Sequence, residues 1–247
     1  MYLNYLIKIY IMREILARAS AGSYHMTGSG NRQQKIQRAN QEAPEGYEVV
    51  ADHTNKDITT FKNPETNDFI IAHRGTDVKG GRGLKDLKAD ASILFGMSKT
   101  DKLHKKRAKR TAKIVKAIDA DANDIFLTGH SLGGSTANHA MHTSNVVRNR
   151  VKELHTFNAG ASPILDDMKP KKGTKKHKQL MEKSTHHKVQ GDGISESGSF
   201  IGKNKVYKSG KKPSVATRVI SAINPLAGKF AGKLNETLSS HSIDNFY

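Results

Sequence analysis

The sequence predicts an α/β protein whose largely parallel sheet is covered by helices on both faces. Three observations carry that prediction. Short apolar runs of strand length, such as Phe69–Ala72, Ile125–Leu127 and the Leu154–Phe157 stretch, alternate with longer segments of helical character. The Phe69-Ile70-Ile71-Ala72-His73 run is apolar almost throughout rather than at every second residue, as in a strand buried on both faces. Finally, Ile125 to Ala140 reads as a strand that turns at once into a helix through Gly129-His130-Ser131-Leu132-Gly133.

Taken in order, Met1 to Leu16 is rich in Leu, Ile and Tyr but interrupted by Asn4, Lys8, Arg13 and Glu14. It is too short and too charged to span a membrane, and no basic region precedes it as in a signal peptide. An amphipathic helix packed on the domain is expected, the alternative being one that lies on a membrane surface. A polar stretch from Ser20 to Gln41 follows, with a loop at Thr27–Asn31 and a helix after it. Residues 1–46 thus form an N-terminal helix and polar linker segment, and residues 47–247 the main domain.

Pro44-Glu45-Gly46 is a turn signal, Tyr47–Val50 opens a strand, and Asp57–Phe61 is its hairpin partner. After Phe69–His73 comes a glycine-rich loop, then helical character over Lys85–Leu94. A basic amphipathic helix follows, with Ala112, Ile114, Val115 and Ile118 on one side, and it leads into the Ile125 strand. Beyond the elbow helix, Leu154–Gly160 is a strand and loop, Lys169–Lys183 a lysine-rich insertion, and His187–Gln190 a short strand. Lys205–Tyr207 is one more strand, and Val215–Leu238 holds helical stretches broken at Asn224-Pro225.

The formal charge is +18, from 41 Lys and Arg against 23 Asp and Glu. It is concentrated: nine basic residues fall between Lys99 and Lys116 and eight between Lys169 and Lys188. Such a balance favours anionic partners: nucleic acid, an anionic phospholipid surface or acidic ligands. There is no cysteine, which excludes disulfides, thiol catalysis and cysteine metal sites. The expected setting is intracellular or reducing, with peripheral membrane contact open. No cofactor is expected. The pairs His139 with His142 and His186 with His187 lack a third ligand at a recurring spacing, so they read as ordinary polar positions rather than a metal site.

The elbow carries the chemistry. A strand that turns directly into a helix strains the central residue and presses its second neighbours together, so only near-absent side chains fit at Gly129 and Gly133. The helix N-terminus supplies partial positive charge and unbonded N–H groups beside the Ser131 hydroxyl. A serine nucleophile needs a histidine base and an orienting carboxylate, in the chain order Ser, acid, His. Only His241 lies after Asp192, so the order selects it. The acid is Asp192, set between two glycines after a strand, with Asp167 the next choice and Asp166 beside it. The oxyanion donors are the backbone N–H of Leu132 and Thr76, which can offer both N–H and hydroxyl. Arg74 reads as a structural cation for Asp77, Asp86 or Asp90.

These residues resemble the fungal-type, class 3 lipase family of α/β-hydrolases. The resemblance rests on His73-Arg74-Gly75-Thr76, Gly129-His130-Ser131-Leu132-Gly133-Gly134, Phe157-Asn158-Ala159-Gly160, Gly191-Asp192 and His241, and spans roughly Tyr47 to Tyr247. It implies hydrolysis of acyl esters of lipids, with Ser131 as nucleophile, His241 as base and acid, Asp192 as orienter, and Thr76 and Leu132 as oxyanion donors. The sequence departs from the family in carrying His73 where an aromatic residue is usual. It has no tryptophan, leaving Ile93–Met97 or Val219–Phe230 as the apolar segments able to cover the site. The competing expectation is an idle hydrolase scaffold that binds nucleic acid or anionic surfaces through its basic clusters.

Overall fold

The computed structural model describes residues 2–76, 98–160, 169–192, 195, 200–208 and 242–246. Among these residues seven strands form one mixed sheet in sequential order: β1 (Glu48–Val49), β2 (Ile58–Lys62), β3 (Phe69–His73), β4 (Ile125–His130), β5 (Glu153–Phe157), β6 (Ser184–Val189) and β7 (Lys203–Tyr207). β1 to β3 are antiparallel hairpin partners, and every pairing from β3 to β7 is parallel. The α/β class and the largely parallel sheet are as expected.

Residue alternation sorts the core into two layers. Ile71, Ile125, Leu127 and Leu154 face α3 (Ser98–Ile118), α4 (Leu132–Thr143), α5 (Asn145–Arg150) and α6 (Lys175–Lys183). Ile70, Phe126, Phe157 and Val189 face α1 (Tyr2–Gly22) and the closing 3-10 turn at Ile243–Phe246. Sequential parallel strands joined by right-handed crossovers place all their helices on one face. The other face therefore needs a separate cover, and α1 is that cover.

Leu16, Ala17 and Ala19 are fully buried on the sheet. A buried polar lock fixes α1 in place. The Ser20 and Thr128 hydroxyls lie 2.8 Å apart, and they stand 2.9 and 3.2 Å from the Leu16 carbonyl oxygen, so the two O–H protons are shared among three acceptor contacts. α2 (Arg32–Gln41) follows, capped by the Asn31 side chain, which accepts from the Gln34 N–H while Gln34 reaches back to the Asn31 N–H.

The Lys169–Lys183 stretch differs from the expected insertion. Its second half is α6, the helix of the β5-to-β6 crossover, with Leu180 fully buried in the core. Its lysines hid that single apolar anchor. β6 also starts three residues before the expected His187, because Ser184, His186 and His187 are buried and their polarity masked the strand. The Lys85–Leu94 and Val215–Leu238 readings lie outside the described residues. No helix among the described residues is long and apolar enough to cross a membrane.

Candidate active site

β4 is buried along all six residues and ends against Ser131, whose φ of 55° and ψ of −127° lie where non-glycine residues are rarely found. Such a conformation costs on the order of 1–3 kcal/mol and persists only where the surroundings fix it. Two hydrogen bonds do so: the Ser131 N–H donates to the Phe157 carbonyl at 2.9 Å, and its own carbonyl accepts from Ser135 at 3.1 Å. The glycines act as the steric argument requires. A Cβ on Gly129 would stand 2.5 Å from the Gly133 backbone, and one on Gly133 would stand 2.1 Å from the His73 carbonyl oxygen. Gly134 likewise leaves no room, with Ala159 Cβ at 2.7 Å.

Leu132 is the first residue of α4, so its N–H sits among the unbonded donors of a helix N-terminus beside Ser131. Thr76 is partly exposed three residues past the end of β3, which pairs in parallel with β4. The intervening Gly75 is pressed against the elbow itself. A Cβ there would lie 2.7 Å from the His130 carbonyl oxygen and 2.1 Å from the Tyr24 hydroxyl.

Tyr24 is a site residue that the spacing of motifs does not reveal. It lies in the 3-10 turn after α1, and its hydroxyl meets His130 Nδ1 at 2.8 Å. One phenol thus touches both the residue before the nucleophile and the loop that carries Thr76.

A buried polar network supports that loop from the helical side. His73 is fully buried, with Nδ1 2.9 Å from the Thr136 hydroxyl on α4 and Nε2 2.8 Å from the Thr111 hydroxyl on α3. Burial, with the nearby Arg107 and His104 charges, holds its pKa well below the ordinary 6.5, so it is a neutral crosslink. Arg107 is buried and donates to the Arg74 carbonyl at 2.6 Å and to Asp57 Oδ1 at 3.2 Å. Among the described residues, Arg74 forms an ion pair with Asp57 at 4.0 Å and donates to the Lys56 carbonyl at 2.8 Å. Asp77, Asp86 and Asp90 lie outside the described residues.

Asp192 follows β6 at the same carboxyl edge of the sheet and is fully buried. Its Oδ2 accepts from the Ser195 N–H at 3.2 Å, and its own N–H donates to the Val189 carbonyl at 3.1 Å. Asn158 ties this corner to the strand beside the elbow. In a left-handed conformation with φ of 45°, it donates its N–H to the His187 carbonyl at 2.8 Å and accepts from the Val189 N–H at 2.9 Å. Ser131, Leu132, Thr76 and Asp192 therefore share one edge. His241, Asp166, Asp167 and the two apolar cover segments lie outside the described residues.

Of the two histidine pairs, His186 and His187 have hydrogen-bond partners within the sheet. His186 bonds Thr156 at 2.8 Å and the Ile201 carbonyl at 3.1 Å, while His187 bonds His155 at 3.0 Å and Tyr207 at 2.9 Å. His139 packs edge-on against His104, and His142 is buried. Burial pushes His186 down to about 4 and His142 to about 3, and holds His187 well below 6.5. Among the described residues no group of three His, Asp or Glu side chains is arranged to hold a metal ion.

A family model described as Mbeg1-like matches residues 50–186, more than half of the chain, including Thr76 and Ser131 but not Asp192 or His241. No curated protein matches. Among solved structures, Lip2 lipase from Yarrowia lipolytica matches at 14% identity and a TM-score of 0.46, over 82% of this chain and 79% of that one. A mutant form of MDLA from Penicillium cyclopium matches at 12% identity and a TM-score of 0.46, over 83% and 80%.

Proposed function

We propose that this chain, which belongs to the Mbeg1-like family, is a serine hydrolase that cleaves acyl esters of lipids through Ser131, Asp192 and His241. The observation that carries the reading is the backbone of Ser131. A serine is held at φ 55° between a buried parallel strand and a helix N-terminus, by glycines that tolerate no Cβ. Strain of that kind is maintained where a hydroxyl must project from the sheet edge.

In this reading the Ser131 Oγ attacks the ester carbonyl carbon and its proton passes to His241. The carbonyl oxygen, now an oxyanion, accepts from the Leu132 N–H and from Thr76. The tetrahedral intermediate collapses, the His241 proton leaves with the alcohol, and the acyl group stays on Ser131. Water then gives a proton to His241 and attacks the acyl carbon; the second tetrahedral intermediate collapses, the acid is released, and the His241 proton returns to the Ser131 Oγ. Asp192 accepts from the other ring nitrogen of His241 and stabilises the imidazolium.

Turnover of a short-chain nitrophenyl ester tests the reading. Ser131→Ala and His241→Ala are each expected to lower kcat by several orders of magnitude while the protein stays folded. Equal turnover by wild type and Ser131→Ala contradicts it and leaves the idle scaffold.

A further inference from the structure

α3 presents one continuous basic face. Lys102, Lys105, Lys106, Lys109, Arg110, Lys113 and Lys116 are all exposed, and no acidic residue occurs from Lys102 to Ile118. At helical spacing these residues fall within one arc and extend over about 21 Å of helix. The inward face is Ala108, Ile114, Val115 and Ile118 with the buried His104, Arg107 and Thr111. Cations three and four residues apart on a helix repel one another, and an anionic surface set against this face attracts them together.

The helix has a fixed direction relative to the site. Near its start, His104 Nε2 meets the Ser135 hydroxyl in the first turn of α4 at 3.1 Å, and Arg107 holds the Arg74 carbonyl. At its far end, Ile118 lies beside the turn whose Asn123 N–H donates to the Asn67 carbonyl, where β3 begins. The Lys102 end is therefore at the edge that carries Ser131, and the Lys116 end is at the opposite edge.

We infer that the first turns of α3 form a rim that docks the protein on an anionic lipid surface, setting the Ser131 edge against the ester groups of that surface. This rests on the hydrolase reading for what the docked edge does. The composition of the face decides between polyanions. Six of its seven cations are lysines, compact hydrated charges suited to a diffuse anionic headgroup layer, whereas the arginine at position 107 is turned inward for directed hydrogen bonds. α3 carries no aromatic residue on which a nucleic-acid base can stack.

Cosedimentation of the full chain with vesicles tests the rim. The vesicles are phosphatidylcholine alone or with phosphatidylserine, each at low and high salt. Two triple variants carry equal charge loss: Lys102→Gln with Lys105→Gln and Lys106→Gln, and Arg110→Gln with Lys113→Gln and Lys116→Gln. Wild type is expected to bind the phosphatidylserine vesicles, release in high salt and leave phosphatidylcholine unbound. The Lys102 triple should lose at least about tenfold in partitioning and the Arg110 triple less than about threefold. No binding to anionic vesicles, equal loss in both triples, or stronger binding to duplex DNA at matched phosphate concentration overturns the proposal. Circular dichroism checks that both variants are folded, and fluorophosphonate labelling in vesicle-free buffer reads Ser131 separately. If wild type binds vesicles but Ser131 does not label, the hydrolase reading fails and the docking rim stands.

Discussion

The Tyr24 hydroxyl and His130 Nδ1 stand 2.8 Å apart, joining the turn after α1 to the residue before the nucleophile across 106 positions of sequence. Gly75, on the oxyanion side, packs against the same hydroxyl and against the His130 carbonyl. The N-terminal segment thus fixes the spacing between the two halves of the proposed oxyanion hole.

Gly75→Ala introduces a Cβ that meets the Tyr24 hydroxyl and the His130 carbonyl at the same time. It should displace the Thr76 loop and lower kcat on the order of a hundredfold. Adding Tyr24→Phe removes one of the two clashes, so the double variant should recover part of the loss. Steady-state kinetics of the two single variants and the double variant checks this.

Gly133→Ala acts on backbone alone. Its Cβ would meet the His73 carbonyl and the Arg74 carbonyl carbon, neither of which is the end of a flexible side chain. The expected loss is at least about 3 kcal/mol of folding stability, read from urea denaturation.

Asp192→Asn should lower kcat by on the order of 10⁴-fold, while Asp167→Asn leaves it within about twofold. The reverse pattern transfers the acid role to Asp167. Both kcat values follow from the same nitrophenyl ester assay.

Stability should fall as pH drops below about 6.5. His73, His142, His186 and His187 are held neutral by burial, with folded pKa values below the unfolded 6.5. Below that pH the unfolded chain binds protons that the folded chain refuses until about 4 at His186 or about 3 at His142. Their contribution is complete above the unfolded pKa and is lost in this window, at about 1.4 kcal/mol per pH unit for each histidine. Urea midpoints at pH 7.5, 6 and 5 check the slope, and a flat profile contradicts the neutral assignments.

The apolar strands, the elbow and the family-level resemblance were legible because each is written in local spacing. Phe69–His73, Ile125–His130 and the two elbow glycines need no distant partner to be recognised. The roles of Tyr24, His73, Arg107 and Asn158 were not legible. Each is defined by atoms brought together from separate elements, as when His73 bridges Thr111 on α3 and Thr136 on α4. α6 and the first half of β6 are hidden for a different reason. Lysines on one side of a helix, and histidines bonded to one another inside a sheet, look polar to a hydropathy pattern although they border or fill the core.

The central claim is that Ser131 is a nucleophile, and covalent labelling tests it without a choice of substrate. The protein is treated with a fluorophosphonate, and the adduct is located by intact mass and peptide mapping. One adduct on Ser131, absent from His241→Ala, is the predicted result. Wild-type protein that stays folded and unmodified contradicts the account and leaves the elbow as the frame of an idle scaffold.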